Sequence, residues 1–265
     1  MHSDVNELFQ QLWFDYLKLT PSAAKVHQLL GGGQAIINDH IALRTFNRGG
    51  VGLAVLAAHF EALGYVSCGD YVFTKKKLIA KHFEHANPRL PKVFISELLV
   101  EQCSPELGVI VDDLLAQMQP AATTADNFLY SGRHWHIDSA SYQALLAESE
   151  YAAWVAAFGY RANHFTVSIN DLAGFNTVAE VNSALKQAGF ILNSVGGEIK
   201  GDREVMLEQS ATMADVIEVA FSDKTLAIPS CFYEFALRYP KANGDLYTGF
   251  VEASADKIFE STNAM

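Results

Sequence analysis

Apolar positions along the chain change period several times, and each change marks an element. Over residues 4–19, Leu8, Leu12, Trp13, Tyr16 and Leu19 recur every three or four positions, which predicts an amphipathic helix ending before Pro21. A second helix is predicted over 22–30, stopped by Gly31-Gly32-Gly33. IINDHIALRTF (36–46) is rich in β-branched and apolar residues and short, as a strand should be. The helical period returns over 51–63 and closes at Gly64, ahead of strand-like stretches at 71–74, 78–84 and 92–100. Between 105 and 158, LGVIVDDLLAQM, SYQALLAESE and AAWVAAF keep helical spacing around a polar loop at 121–127. This predicts a helical insert. A strand follows at 161–170, a helix at 176–188, strand-like stretches near 190–199, 203–209 and 215–221, and a last strand at 231–239. The tail beyond 240 is polar and reads as a short helix or coil.

The order of these elements repeats. His40 opens a strand, a helix follows, and Gly64-Tyr65 ends it 24 residues on; His164 opens a strand, a helix follows, and Gly189-Phe190 ends it 25 residues on. LPKVFISEL (90–98) and IPSCFYEFA (228–236) then share an aliphatic residue, Pro, two free positions and Phe. In that alignment the counterparts of Glu234 and Arg44 are Ser96 and Ser168. The expected fold is α+β: two βαβββ modules forming one curved, barrel-like mixed sheet in a single domain. Its parts are N-terminal helices (1–33), a first module (36–100), a helical insert (101–160), a second module (161–240) and a tail (241–265).

Composition narrows the class. Hydrophobic residues make up 50% and charged residues 18% of the 265, the balance of a soluble globular protein. A net charge of −11 argues against a broad grip on nucleic acid or anionic membrane. Cys68, Cys103 and Cys231 are too scattered for a disulfide framework, which suits a reducing compartment. The start of the chain carries Asp4 and Glu7 and no apolar follow-on, so a cytoplasmic location without a signal peptide or membrane span is expected.

Strand alternation then locates chemistry. His40, Ala42 and Arg44 share one face of the first strand, His164, Thr166 and Ser168 one face of its repeat, and Glu234, Ala236 and Arg238 one face of the last strand. A sheet curled around these faces makes a cup lined by His40, His164, Glu234 and Arg44. Two neutral imidazoles and a carboxylate are the facial triad of mononuclear non-haem Fe(II) sites, which keep positions open for substrate and O₂. Successive members lie 124 and 70 residues apart, beyond any local motif. The bland alternative is that both histidines are hydrogen-bonded strand residues and that Glu234 pairs with Arg238. Symmetry-related strands favour a shared ion near a pseudo-twofold axis.

Together, NDHIALRTF (38–46), NHFTVSIN (163–170) and CFYEFALR (231–238) resemble the 2-oxoadipate dioxygenase/decarboxylase family of the vicinal oxygen chelate superfamily. The last segment is also similar to the strand of 4-hydroxyphenylpyruvate dioxygenase that supplies its glutamate ligand. The resemblance covers roughly residues 36–240. It implies paired βαβββ modules around one metal, with His40, His164 and Glu234 as ligands to Fe(II), or to Zn, Ni or Mn in isolated protein. It implies that Arg44 clamps the distal carboxylate of a 2-oxo diacid. The implied reaction consumes O₂ and releases CO₂ and a 2-hydroxy diacid, 2-hydroxyglutarate from 2-oxoadipate.

Other readings stay open at this stage. The same ligands serve lyases and isomerases in which the ion is only a Lewis acid, and a non-catalytic small-molecule binder could share the fold. His82 and His85 (KHFEH), with His134 and His136 (RHWHID), could form a second metal centre, although pocket-lining or hydrogen-bonding roles are the simpler reading. Lys75-Lys76-Lys77 reads as a solvated hairpin turn.

Overall fold

A computed structural model describes residues 1–119 and 121–262. Its strands are β1 (Asn38–Phe46), β2 (Tyr65–Phe73), β3 (Leu78–His85), β4 (Lys92–Leu98), β5 (Ala162–Ser168), β6 (Lys200–Asp202), β7 (Leu207–Ala211), β8 (Val216–Ala220), β9 (Thr225–Pro229) and β10 (Phe232–Arg238). Helices are α1 (Val5–Leu19), α2 (Pro21–Gly31), α3 (Leu53–Glu61), α4 (Pro105–Leu115), α5 (Ser139–Glu148), α6 (Glu150–Phe158), α7 (Val178–Gln187) and α8 (Glu252–Ile258). Among the described residues, no helix is long and apolar enough to cross a membrane.

Eight strands form one mixed, curled sheet in the order β2-β3-β4-β1-β5-β10-β7-β6. Each half has the same wiring. β1 lies parallel to β4, with β3 and β2 antiparallel beyond it; β5 lies parallel to β10, with β7 and β6 antiparallel beyond it. The halves join where β1 and β5 run antiparallel, His40 opposite Thr166 and Ala42 opposite His164, on either side of the Ile41–Phe165 pair. That arrangement is the pseudo-twofold relation, and it brings the two histidines diagonally together.

Both central strands are buried on both faces. Helix α1, whose N-terminus is capped by the Asp4 carboxylate, buries Leu8, Leu12 and Tyr16. Tyr16 and Trp13 stack against Phe165 and Tyr233, and the Tyr16 hydroxyl donates to the Phe232 carbonyl at 2.5 Å. Each fully buried side chain of this size contributes roughly 1.5–3 kcal/mol. In α6 every residue from Tyr151 to Phe158 is buried, so this is a core helix rather than a surface one. α8 packs on β2, β6 and β7, and so bridges the two edges of the curled sheet.

Several boundaries differ from the sequence expectation. β2 begins at Tyr65, not 71, because a bulge between Ser67 and Gly69 breaks its alternation. The 190–199 stretch is not a strand; only Leu192 bridges to Thr212, and the edge strand is the three-residue β6. β8 lies outside the main sheet, in a hairpin with β9, which has no counterpart in the first half. Lys76 and Lys77 of the turn are tied to Glu260 at 2.5 Å and Glu148 at 3.0 Å rather than simply solvated.

The repeat alignment is also corrected. Ala42 pairs with Phe94 and Thr166 with Glu234 in equivalent parallel ladders, so the counterpart of Glu234 is Phe94, not Ser96. The shared Pro-x-x-Phe spacing is two residues out of structural register. Ser168 remains the counterpart of Arg44.

Candidate metal centre

His40, His164 and Glu234 each place one ligand atom so that all three lie within 4.8 Å of one another. All three are buried, at 2%, 5% and 1% exposure. Glu234 Oε2 stands 3.1 Å from His164 Nε2 and 3.6 Å from His40 Nε2, and the two rings meet edge to face at 5.6 Å. The sheet brings the residues together directly. Glu234 is opposite Thr166, two positions from His164 on the same face, and His40 is opposite the same Thr166 from the other side.

The other nitrogen of each ring fixes its tautomer. His40 Nδ1 donates to Asp39 Oδ1 at 2.8 Å, and His164 Nδ1 donates to Asn163 Oδ1 at 3.0 Å. The carboxylate and amide oxygens accept, so Nε2 is the nitrogen of each ring that is turned toward the centre, where loss of its proton would free a lone pair for a metal ion. Thr166 Oγ1 lies 3.1 Å from His40 Nε2. Arg238 grips Asp39 rather than Glu234, at 2.6 and 2.9 Å, which corrects the alternative pairing.

Charge follows from these contacts. Burial disfavours ionised Asp39, but the Arg238 guanidinium holds its carboxyl far below the usual carboxylate range. Burial likewise opposes ionised Glu234, and the two imidazoles outweigh it, holding the pKa at about 2. For His164 burial wins and lowers the pKa; for His40 burial is outweighed by Glu234 and Asp39, and the pKa rises. Two imidazole nitrogens and one carboxylate oxygen, converging and buried, fit a divalent ion with open positions.

A small pocket adjoins the centre, with Gln209 beside the three ligands and Phe94, Phe250 and Phe259 as apolar walls. Phe250 and Phe259 come from the tail, which the sequence presented as a polar short helix or coil; together with Ala255 and Ile258 of α8 they line the pocket. Arg44 is buried in the adjoining core. Its Nη1 donates to Glu150 Oε1 at 3.0 Å, and its guanidinium faces Tyr151 at 4.9 Å, Trp154 at 5.3 Å and Phe259 at 5.5 Å.

Among the described residues His82, His85, His134 and His136 do not converge on one another, although His82 with Cys68 and Glu84 brings three possible ligand atoms within 4.8 Å. His82 bonds Tyr71 and Glu84 at 2.8 and 3.0 Å, with Cys68 near that pair. His85 meets the Tyr65 ring at a tilt, His134 bonds Ser131, and His136 is exposed. Asp39, Gln209 and Phe250 were not legible as site residues. Asp39 carries the one available signal, a carboxylate directly before a strand histidine.

Comparison with known proteins agrees with this geometry. The family model described as 2-oxoadipate dioxygenase/decarboxylase matches residues 15–240. The Arabidopsis thaliana protein named 2-oxoadipate dioxygenase/decarboxylase, chloroplastic, is 34% identical over 281 residues, covering 93% of this chain and 74% of the relative. The crystal structure of hydroxyglutarate synthase from Oryza sativa in complex with 2-oxoadipate is 33% identical with a TM-score of 0.88, covering 97% of this chain and 91% of that one. A Shewanella frigidimarina crystal structure is 70% identical with a TM-score of 0.93, covering 96% of this chain and 100% of that one.

Proposed function

The chain belongs to the 2-oxoadipate dioxygenase/decarboxylase family, and on that premise we propose that it converts a 2-oxo diacid of the 2-oxoadipate type, with O₂, into the 2-hydroxy diacid one carbon shorter and CO₂, using Fe(II) held by His40, His164 and Glu234. The observation that carries this reading is the convergence of three buried ligand atoms within 4.8 Å at the junction of the duplicated halves. When bound, Fe(II) supplies chelation of the keto oxygen and adjacent carboxylate and the redox chemistry with O₂.

The chain's own residues do the rest. Asp39 and Asn163 hold both imidazoles in orientation with Nε2 toward the centre, and Glu234 stays ionised at neutral pH. Arg44 would hold the distal carboxylate, for which a planar guanidinium is suited. Its Nε has no hydrogen-bond partner among the described residues, so a donor is left beside the one given to Glu150. The rings of Phe94, Phe250 and Phe259 keep bulk water from the reacting end. The one substrate supplies all four electrons that O₂ takes up, two in the oxidative decarboxylation and two in the hydroxylation, so no second 2-oxo acid is consumed.

The test is anaerobic reconstitution with Fe(II), followed by O₂ uptake and CO₂ release across a series of 2-oxo diacids. Stoichiometric uptake and release with one chain length supports the reading. Turnover without O₂, on Zn²⁺, Ni²⁺ or Mn²⁺, would replace it with a lyase or isomerase. Arg44→Ala should raise KM for the diacid while leaving metal affinity in place; equal loss of both would remove its assigned role.

A further inference from the structure

Gln209 sits on β7 opposite Ala236, one strand from Glu234 and diagonal to it on the same face, within reach of a long side chain. Its Nε2 donates to Glu234 Oε1 in a buried contact, Gln209 being 2% exposed. The carboxylate is therefore divided. Oε1 belongs to the carboxamide, and Oε2 faces the two imidazoles at 3.1 and 3.6 Å.

Among the described residues nothing else hydrogen-bonds this amide. Gln209 Oε1 is buried without a partner, so the bond to Glu234 alone sets the amide's orientation. The reverse orientation would press Oε1 against an ionised carboxylate, which chemistry forbids. The neighbouring cation is kept away. Lys200, opposite Gln209 on β6, spends its ammonium on the carbonyls of Asn193 at 2.5 Å and Glu198 at 3.5 Å. A neutral donor thus holds one carboxylate oxygen without cancelling the charge the metal needs.

We infer that Gln209 is a positioning residue that keeps Glu234 a one-oxygen ligand and so sets the number of open coordination positions. This rests on the function proposed above. In a six-coordinate ion, two imidazoles and one carboxylate oxygen leave three positions: two for the chelating 2-oxo acid and one for O₂. A two-oxygen carboxylate leaves only two, and the chelate then fills the site before O₂ arrives.

The experiment is anaerobic titration of Fe(II)-loaded protein with 2-oxoadipate, read by the charge-transfer absorption of the chelate, then titration of that complex with nitric oxide as a spectroscopic stand-in for O₂, alongside Fe(II) affinity by chelator competition. Gln209→Met should keep Fe(II) affinity within a few-fold of wild type or raise it and still develop the chelate band, yet bind nitric oxide on the chelated ion at least ten-fold more weakly. Wild-type nitric oxide affinity in the chelated Gln209→Met protein would overturn the inference while leaving the enzyme reading intact. A wild-type protein that binds Fe(II) but forms no band with any 2-oxo diacid would overturn the enzyme reading, and the inference with it. Should Gln209→Met fail to fold, a crystal structure of the metal-loaded wild type decides: one Glu234 oxygen on the ion supports the inference, and two oxygens at bonding distance overturn it.

Discussion

Asp39 and Arg238 meet as a buried two-pronged ion pair, Nε to Oδ2 at 2.6 Å and Nη2 to Oδ1 at 2.9 Å, directly behind His40. Arg238 also donates through Nη1 to the carbonyls of Tyr247 at 3.0 Å and Gly249 at 2.7 Å. One guanidinium therefore connects the tail to the carboxylate that orients a metal-site histidine.

Asp39→Asn should lower metal affinity about 10–100-fold, as loss of an orienting partner does elsewhere. The amide can turn its oxygen to His40 or to Arg238, but it brings no charge to either. Chelator competition on folded protein measures this. An affinity equal to wild type would show that His40 is held by packing alone.

Phe250 ties the tail to the site through edge-to-face and tilted ring contacts. Its ring lies 4.8 Å from His40, 4.9 Å from Phe94 and 5.3 Å from His82, with the Arg238 guanidinium 5.1 Å over it. Phe250→Ala should destabilise the fold by about 3–5 kcal/mol, the usual range for truncating a buried phenylalanine. Urea unfolding reads it. A loss under about 1 kcal/mol would mean that the tail is only loosely seated.

How far the sequence could disclose this site depends on which interactions are periodic. His40, His164 and Glu234 were legible because strand alternation and duplication both select them. The register between strands is not periodic information, so Gln209 beside Glu234 and Arg238 behind Asp39 were not. The same limit explains the misplaced counterpart of Glu234. A Pro-x-x-Phe coincidence offered one register, while the parallel ladders, fixed by backbone pairing with β1 and β5, adopt another that puts Phe94 there. β2 was truncated because its bulge and its polar outer face erase the alternation that reveals a strand. The tail read as polar because only a few of its residues, Phe250, Ile258 and Phe259 among them, are apolar anchors.

Gly159 turns the chain from α6 into β5, and so delivers His164 to the sheet. Its φ of +68° is in the range that favours glycine, and an added Cβ would stand 2.2 Å from the Gly132 carbonyl oxygen. Gly159→Ala should cost more than about 2 kcal/mol, because backbone on both sides must shift. Gly189→Ala is the control. Its φ of +87° is comparable, but nothing lies within 4 Å of its Cβ, so only the backbone penalty remains. Equal losses in the two variants would show that the contact with Gly132 contributes nothing.

Lys200 predicts a pH dependence that most lysines do not have. Burial pushes its pKa down from 10.5 to about 8, with Glu234 and Glu198 pulling the other way and Lys257 adding to the fall. Below pH 8 the ammonium is charged in both folded and unfolded chains, so folding bears the whole desolvation cost. Between about 8 and 10.5 the folded chain releases the proton while the unfolded chain keeps it. The unfolded state then binds more protons, and stability rises with pH by this group's contribution. Lys200→Met lacks that contribution, whatever constant offset its lost hydrogen bonds introduce. Across that window the wild type should therefore gain stability relative to the variant. Unfolding free energies of both proteins, measured from pH 7 to 10, provide the comparison; curves that stay parallel would show that Lys200 titrates as an ordinary lysine.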